Sequence, residues 1–434
     1  MLTRTLGLAG AIVSLLSAFA LGADQTVIGA GNDRARVIAE TSPMIKSAMA
    51  FMRQEAEHIR DSKLRRETLD AFTNPATCVA HRANLSDTDK AAIIQRLIDA
   101  ALVNPADAAE FPGGVTAGIF PPLKDDGTAC PHLPQRFDSA PGSFFAGHHS
   151  YPGGLAVHEA FNAISDLSLA ADYRTAYGHL DRAGLPSIDI ASQANFIQPD
   201  GGLDINQDLI IAAPIWHDWA KTFVFQWNAD GTEFKELNFG GNGKTDGYDG
   251  KGDSRTPGHH ILGLAESIKR GLSPEFVITQ ASAHSAPTLG NEFKVVNWIR
   301  AAAIIARVDP VANGYLAADA SGKLRLPALA ATGSFDFAAV APSAPYFLPE
   351  DTLHNLSDGN YFLAVPAAFQ MGLVLAKLAP EFGFNPADVA SFNNRFRNPV
   401  FSYLSAERLI FIYSRHGVDG VRGEVKRLRQ LGVI

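Results

Sequence analysis

The chain has 434 residues, 46% of them hydrophobic, with 37 Lys and Arg against 45 Asp and Glu and a formal net charge of −8. That hydrophobic share over such a length builds one large core or two adjoining ones, which excludes a disordered or fibrous chain. The acidic balance excludes the broad basic footprint that long nucleic acids demand.

Met1 to Ala23 carries one cation, Arg4, then an apolar run from Leu6 to Leu21 and the small residues Gly22 and Ala23. This predicts a secretory signal peptide over residues 1–23, cleaved near Ala20 or Ala23; an uncleaved anchor is the alternative, but the run is short for a span. Cleavage removes Arg4 and leaves 36 Lys and Arg against 45 Asp and Glu, a net of −9. The expected destination is exported, periplasmic or secreted, with no membrane attachment after cleavage. Only two cysteines occur, Cys78 and Cys130, both in loop-like contexts. In an oxidising compartment they are expected to pair, worth roughly 4 kcal/mol in the chain-entropy account, with two free thiols as the alternative.

Helical spacing runs from Pro43 to Phe72 and stops at Asn74-Pro75, where the proline forbids continuation. Ser86 is placed to cap a second helix reaching about Val103. Prolines at 105, 112, 121, 122, 131, 134 and 141 then predict a long irregular connection. Gly153 to Leu180 is expected to be helical, with His158 near its start. A further helix is expected to begin near Asp204 and to carry His217, Asp218 and Lys221 together. The start Asp204-Ile205-Asn206-Gln207-Asp208 imitates a calcium loop, but Leu209 and Ile215 stand where the required glycine and final glutamate belong, so calcium is rejected there. Alternation over Thr222–Trp227, a turn at Asn228-Ala229-Asp230-Gly231 and the return Thr232–Leu237 predict a small β-hairpin insert. A glycine-rich stretch from Gly240 to Asp253 follows, a lid or a plain connector. Helices at roughly 258–270, 274–284 and 290–308 place His259, His284 and Asp309 at or near their ends, and apolar helices near 361–379 and 402–431 close the chain.

The informative feature is an ordered set of metal-ligand residue types. Gly147-His148-His149-Ser150-Tyr151-Pro152-Gly153-Gly154-Leu155-Ala156-Val157-His158 leads into a helix, followed by Trp216-His217-Asp218-Trp219, Gly258-His259-His260, Ala283-His284 and Arg307-Val308-Asp309. An adjacent imidazole and carboxylate can grip one ion while the second carboxylate oxygen turns toward another. Lys221, one turn beyond, would lie beside an anion held there. Nitrogen and carboxylate donors without thiolate suit one or two divalent transition metals among Fe, Mn, Zn, Co and Ni.

Read in order, this H…HD…H…H…D set resembles the HD-domain superfamily of metal-dependent phosphohydrolases. The paired histidines before Gly-Gly-Leu-x-x-His and the later Gly-His-x-Ile-x-Gly are similar to the branch containing bacterial 3′-to-5′ exoribonucleases. The resemblance covers roughly residues 140–312. It implies an all-α HD-domain helical core with N- and C-terminal helical extensions. It also implies a first metal on His158, His217, Asp218 and Asp309, and a second completed by His259 and His284 with Asp218 bridging. Two ions against two carboxylates and four neutral imidazoles leave a surplus of +2, enough to hold a phosphate. Ser285 and Ala286 stand where relatives carry a second histidine and a glycine, and the nucleic-acid-binding barrel of the exoribonucleases is missing.

The resulting organisation is a leader at 1–23, N-terminal helices and a proline-rich loop at 24–139, the hydrolase core at 140–312 and a helical extension at 313–434. The expected activity is hydrolysis of a small anionic phosphomonoester or phosphodiester, nucleotide-derived compounds among them, with no extended nucleic acid as partner. Catalytic candidates are Asp218 and Lys221, with His148 and His149 either contacting a leaving group or fixing their loop by hydrogen bonds. His260 is expected to turn away into a hydrogen bond, and Trp216 and Trp219 to be core. A di-iron oxygenase built on the same ligands is the alternative, and a non-catalytic metal-holding module the second. The oligomeric state is left open.

Overall fold

The structure is a computed structural model that describes residues 27–109, 111–125, 127–188, 203–240, 254–329, 346 and 348–434. The expected leader at 1–23 and most of the glycine-rich stretch, 241–253, lie outside the described residues. The fold is all-α. Its helices are α1 Asn32–Thr41, α2 Pro43–Glu57, α3 Ser62–Thr73, α4 Asp87–Asp99, α5 Gly114–Ile119, α6 Gly154–Gly178, α7 Gln207–His217, α8 Lys221–Val224, α9 Gly258–Lys269, α10 Pro274–Ser282, α11 Glu292–Ala306, α12 Pro349–Ser357, α13 Tyr361–Leu378, α14 Val389–Phe392, α15 Asn398–Leu404 and α16 Ala406–Gln430. Two antiparallel two-stranded ladders accompany them, β1 Asn238–Phe239 with β2 Thr256–Pro257, and β3 Ala317–Ala318 with β4 Leu324–Arg325.

Local chemistry sets several of these boundaries. The expected helix over 43–72 is two helices, because Asp61 turns its side chain onto the amide of Leu64 and starts α3 afresh. Ser86 does cap α4, in a reciprocal box with Asp89. Thr222–Val224 is a helical turn, so the predicted hairpin shrinks to a tight reversal closed by a single bridge between Trp227 and Glu233. The ladder proper forms just beyond it, from strands that flank the glycine-rich stretch.

One apolar core runs from α1 through α11 and centres on Trp216, Trp219, Phe223, Phe276 and Trp298. A second joins Tyr151 to Met371, Leu375, Phe396, Phe401, Leu409 and Val421 of the C-terminal helices. The stretch Pro349–Phe382 is, among the described residues, the one long and apolar enough to cross a membrane. Its Ala367, Ala368, Met371, Leu375 and Leu378 are buried in the second core, and α13 packs on α16.

A polar clasp joins the N-terminal helices to α9. The Arg270 guanidinium donates to Glu266, Glu67, Asp70, Thr77 and the carbonyl of Cys78, and lies over the rings of Trp216 and Trp219 at 5.4 and 5.8 Å. Glu266 also takes the His81 ring at 2.7 Å. Burial pushes the Glu266 carboxyl up, but His81 and Arg270 outweigh it and hold it at about 2. Cys78, beside this clasp, is disulfide-bonded to Cys130, Cα to Cα 5.6 Å.

Candidate metal centre

Two tryptophans aim the His217-Asp218 pair. Trp216 Nε1 donates to Thr68 Oγ1 and Trp219 Nε1 to the Ala71 carbonyl, both at 2.9 Å, so each indole is hooked onto α3 and the dipeptide between them faces the other way. The pair does not sit within one continuous helix. α7 contains Pro214 and ends at His217; Asp218 leaves helical geometry at φ −106°, ψ 7°, and Lys221 opens the short α8. That break lets the carboxylate of Asp218 turn into the cluster.

The cluster is compact. Asp218 Oδ2 lies 3.2 Å from His158 Nε2 and 3.4 Å from His217 Nε2, while Oδ1 lies 2.9 Å from His259 Nε2. His284, partly exposed after α10, completes a second group in which one donor atom each from Asp218, His259 and His284 falls within 4.8 Å of the others. On the first side the fourth donor is Asp358, whose Oδ1 is 3.3 Å from His158 Nε2 and 3.5 Å from His217 Nε2.

Asp309, expected as that late carboxylate, stands elsewhere. It is exposed beyond α11, and its oxygen accepts from the amides of Val311 and Ala312, an ordinary turn cap. Asp358 sits at the C-terminal end of α12, a helix that packs on α6 and α7. The cluster therefore includes a carboxylate from beyond residue 312.

Outer carboxylates orient the imidazoles. His217 Nδ1 faces only acceptors, the Pro214 carbonyl at 3.0 Å and Glu159 Oε2 at 3.1 Å, so it carries a proton and Nε2 is the atom aimed at the cluster. His259 Nδ1 likewise donates to Glu236 Oε2 at 2.7 Å. Asn162, one turn along from His158, donates to Glu159 and to Asp358 Oδ1, 3.2 Å each.

The electrostatics favour positive charge at this point. Burial presses the His158 imidazolium down, yet Asp218 and Asp358 override it and raise its pKa to about 9. Burial likewise pushes Asp218 up, but His217, Lys221 and His259 carry it well below the usual carboxylate range. A divalent cation fits the residues present: His217 Nε2, His259 Nε2 and Asp218 Oδ1 are buried, converge, and make no hydrogen bond.

Lys221 is buried, and its ammonium is spent on Asp218 Oδ2 and the Gly142 carbonyl. It holds the Asp218 carboxylate instead of reaching outward to a substrate anion, the role expected of it. His148 and His149 pack on His158, with ring centroids 4.6 and 5.2 Å away. Their loop is held against the start of α6 by two glycines. A Cβ on Gly154 would meet the His149 carbonyl oxygen at 1.8 Å, and one on Gly153, at φ +80°, would meet the Ile45 side chain at 2.2 Å. His260 makes no hydrogen bond; it stacks on His284 at 4.2 Å with its other side against Trp298. Glu159, Glu236, Asn162 and Asp358 were not anticipated. Glu159 has a signal, its adjacency to His158, whereas the others announce themselves only in three dimensions.

His148, His284 and Asp358 are partly exposed members of the cluster. A separate 390 Å³ cleft lined by Glu40, Arg53, Arg136 and Asp138 contains none of these ligands. No family model, curated protein or solved structure matches the chain.

Proposed function

We propose that the chain is a metal-dependent phosphohydrolase that cleaves a small phosphomonoester or phosphodiester. The observation that carries this reading is Asp218, one carboxylate with Oδ2 toward the His158 and His217 nitrogens and Oδ1 toward His259. A carboxylate offering separate oxygens to separate imidazole groups suits two cations a few ångströms apart. First-position residues are His158, His217, Asp218 and Asp358; second-position residues are Asp218, His259 and His284. When bound, the ions supply Lewis acidity toward phosphoryl oxygens and activation of a water.

This chain's own residues organise that chemistry. Lys221 fixes the bridging carboxylate, Glu159 and Glu236 keep two imidazoles in the ligating tautomer, and the Trp216 and Trp219 hooks hold the dipeptide still. With Lys221 engaged by Asp218, the anionic substrate is met by the surplus charge of the ions and not by a free ammonium. The Cys78–Cys130 disulfide goes with an exported protein.

The test is hydrolysis of p-nitrophenyl phosphate and bis-p-nitrophenyl phosphate by chain loaded with Mn, Zn, Co, Ni or Fe, beside Asp218→Asn. Turnover by the parent and its loss in the variant are expected. Oxygen consumption by an iron-loaded chain that releases no phosphate would move the assignment to an oxygenase.

A further inference from the structure

Beside the two proposed positions is a third group of donors, of which only His158 is already used. His148 and His149 meet His158 with one donor atom each, all within 4.8 Å. From the far end of the chain Glu407, in the first turn of α16, brings Oε1 to 3.3 Å from His149 Nε2. Several of their polar atoms have no hydrogen-bond partner in the protein. His148 Nδ1, His149 Nδ1 and both oxygens of Glu407 are buried and make no hydrogen bond, and His149 is only 2% exposed. Orphaned polar atoms at such density are costly unless a ligand completes them.

The backbone is committed to this arrangement from both directions. His149 holds φ +52°, uncommon for a residue other than glycine, and Ser405, capping α16 ahead of Glu407, holds φ +56° with ψ 156°, a region used almost only by glycine. Arg397 pins the residue after His149, donating to the carbonyl and hydroxyl of Ser150.

We propose that His148, His149 and Glu407 bind a third divalent transition-metal ion, next to the His158 side of the first position. Two imidazoles and one carboxylate are a sufficient facial set for Mn, Fe, Co, Ni or Zn, leaving further coordination to water or to an anionic ligand. His148 and His149 are then ligands and not an acid–base pair. The inference rests on the metal character of the neighbouring centre but on no particular substrate.

The experiment uses the full chain, stripped with chelator and equilibrated by dialysis against Mn or Zn, with ions per chain measured by elemental analysis and folding followed by circular dichroism. The parent is expected to take up three ions, and Glu407→Gln two. His149→Asn supplies a second variant, because asparagine tolerates a positive φ and so removes the imidazole without breaking the turn; it too is expected to hold two. A parent that saturates at two or fewer, or a folded variant of either kind that still holds three, overturns the proposal. Phosphoester turnover at two ions would overturn the third position and leave the hydrolase reading standing, whereas three ions without turnover would do the reverse.

Discussion

Replacing Asp358 separates a ligand set inferred from order along the chain from one built on geometry. Asp358→Asn keeps volume while removing one charge and one strong donor oxygen, and the side chain is 15% exposed at a helix end, so the fold should tolerate it. The lost oxygen lies 3.3 and 3.5 Å from two imidazole nitrogens in a site whose other carboxylate, Asp218, is shared between two positions. The first position thus loses the only carboxylate it does not share. Outer-sphere partners of metal ligands are worth about 10–100-fold in affinity. A direct ligand should cost at least the upper end of that range, about 2.7 kcal/mol or more. Metal titration of the stripped chain by calorimetry, paired with elemental analysis after dialysis, measures it, and Asp309→Asn is the matched control because that carboxylate only caps its own turn. Loss of one ion or at least a hundredfold in affinity is expected for Asp358→Asn, and parental behaviour for Asp309→Asn. The reverse pattern would sink the geometric assignment.

Glu236→Gln should weaken the second position by about 10–100-fold without unfolding the chain, since it loosens the His259 ring while every direct ligand remains; unchanged affinity would reduce Glu236 to a loop contact. Asp166, which supplies no proposed ligand atom but lies 3.7 Å from the ring nitrogen of His354 beside His217, offers a stability test. Its carboxyl is fully buried, with neither oxygen hydrogen-bonded, and burial, with Glu350 adding to it, raises its pKa from 3.8 to about 8. The folded chain therefore keeps a proton that the unfolded chain releases above about pH 4, so this residue's contribution to stability is full in acid and is lost as pH rises toward 8. Asp166→Asn should raise stability at pH 7 by roughly 2–4 kcal/mol and flatten its decline between pH 5 and 8. An Asp166→Asn chain whose melting temperature falls from pH 5 to pH 8 as steeply as the parent's would contradict this.

The helical character of the chain was readable because apolar spacing and caps are local: Ser86 with Asp89, or Gly153-Gly154 before α6, act within a few residues. That His158, His217, Asp218, His259 and His284 lie close together accords with the ordered spacing read from the sequence. The late carboxylate was not readable. Asp309 and Asp358 both follow a helix, and nothing near either says which helix returns to α6; that is decided by how α12 packs, a long-range fact. Lys221 misled for a related reason, since an assumed unbroken helix would place it on one face with His217, whereas the break at Asp218 folds it back onto the carboxylate.

The hooks of Trp216 and Trp219 on α3 have a thermodynamic corollary. Because the residues flanking the bridging carboxylate are anchored to a helix about 148 positions upstream, and Arg270 ties those indoles to the disulfide-bearing loop, the N-terminal segment and the metal site share one free-energy balance. Linkage then runs in both directions. Ions bound at the proposed positions would then protect the N-terminal helices from proteolysis, and opening the Cys78–Cys130 bond would lower their affinity although neither cysteine belongs to the cluster.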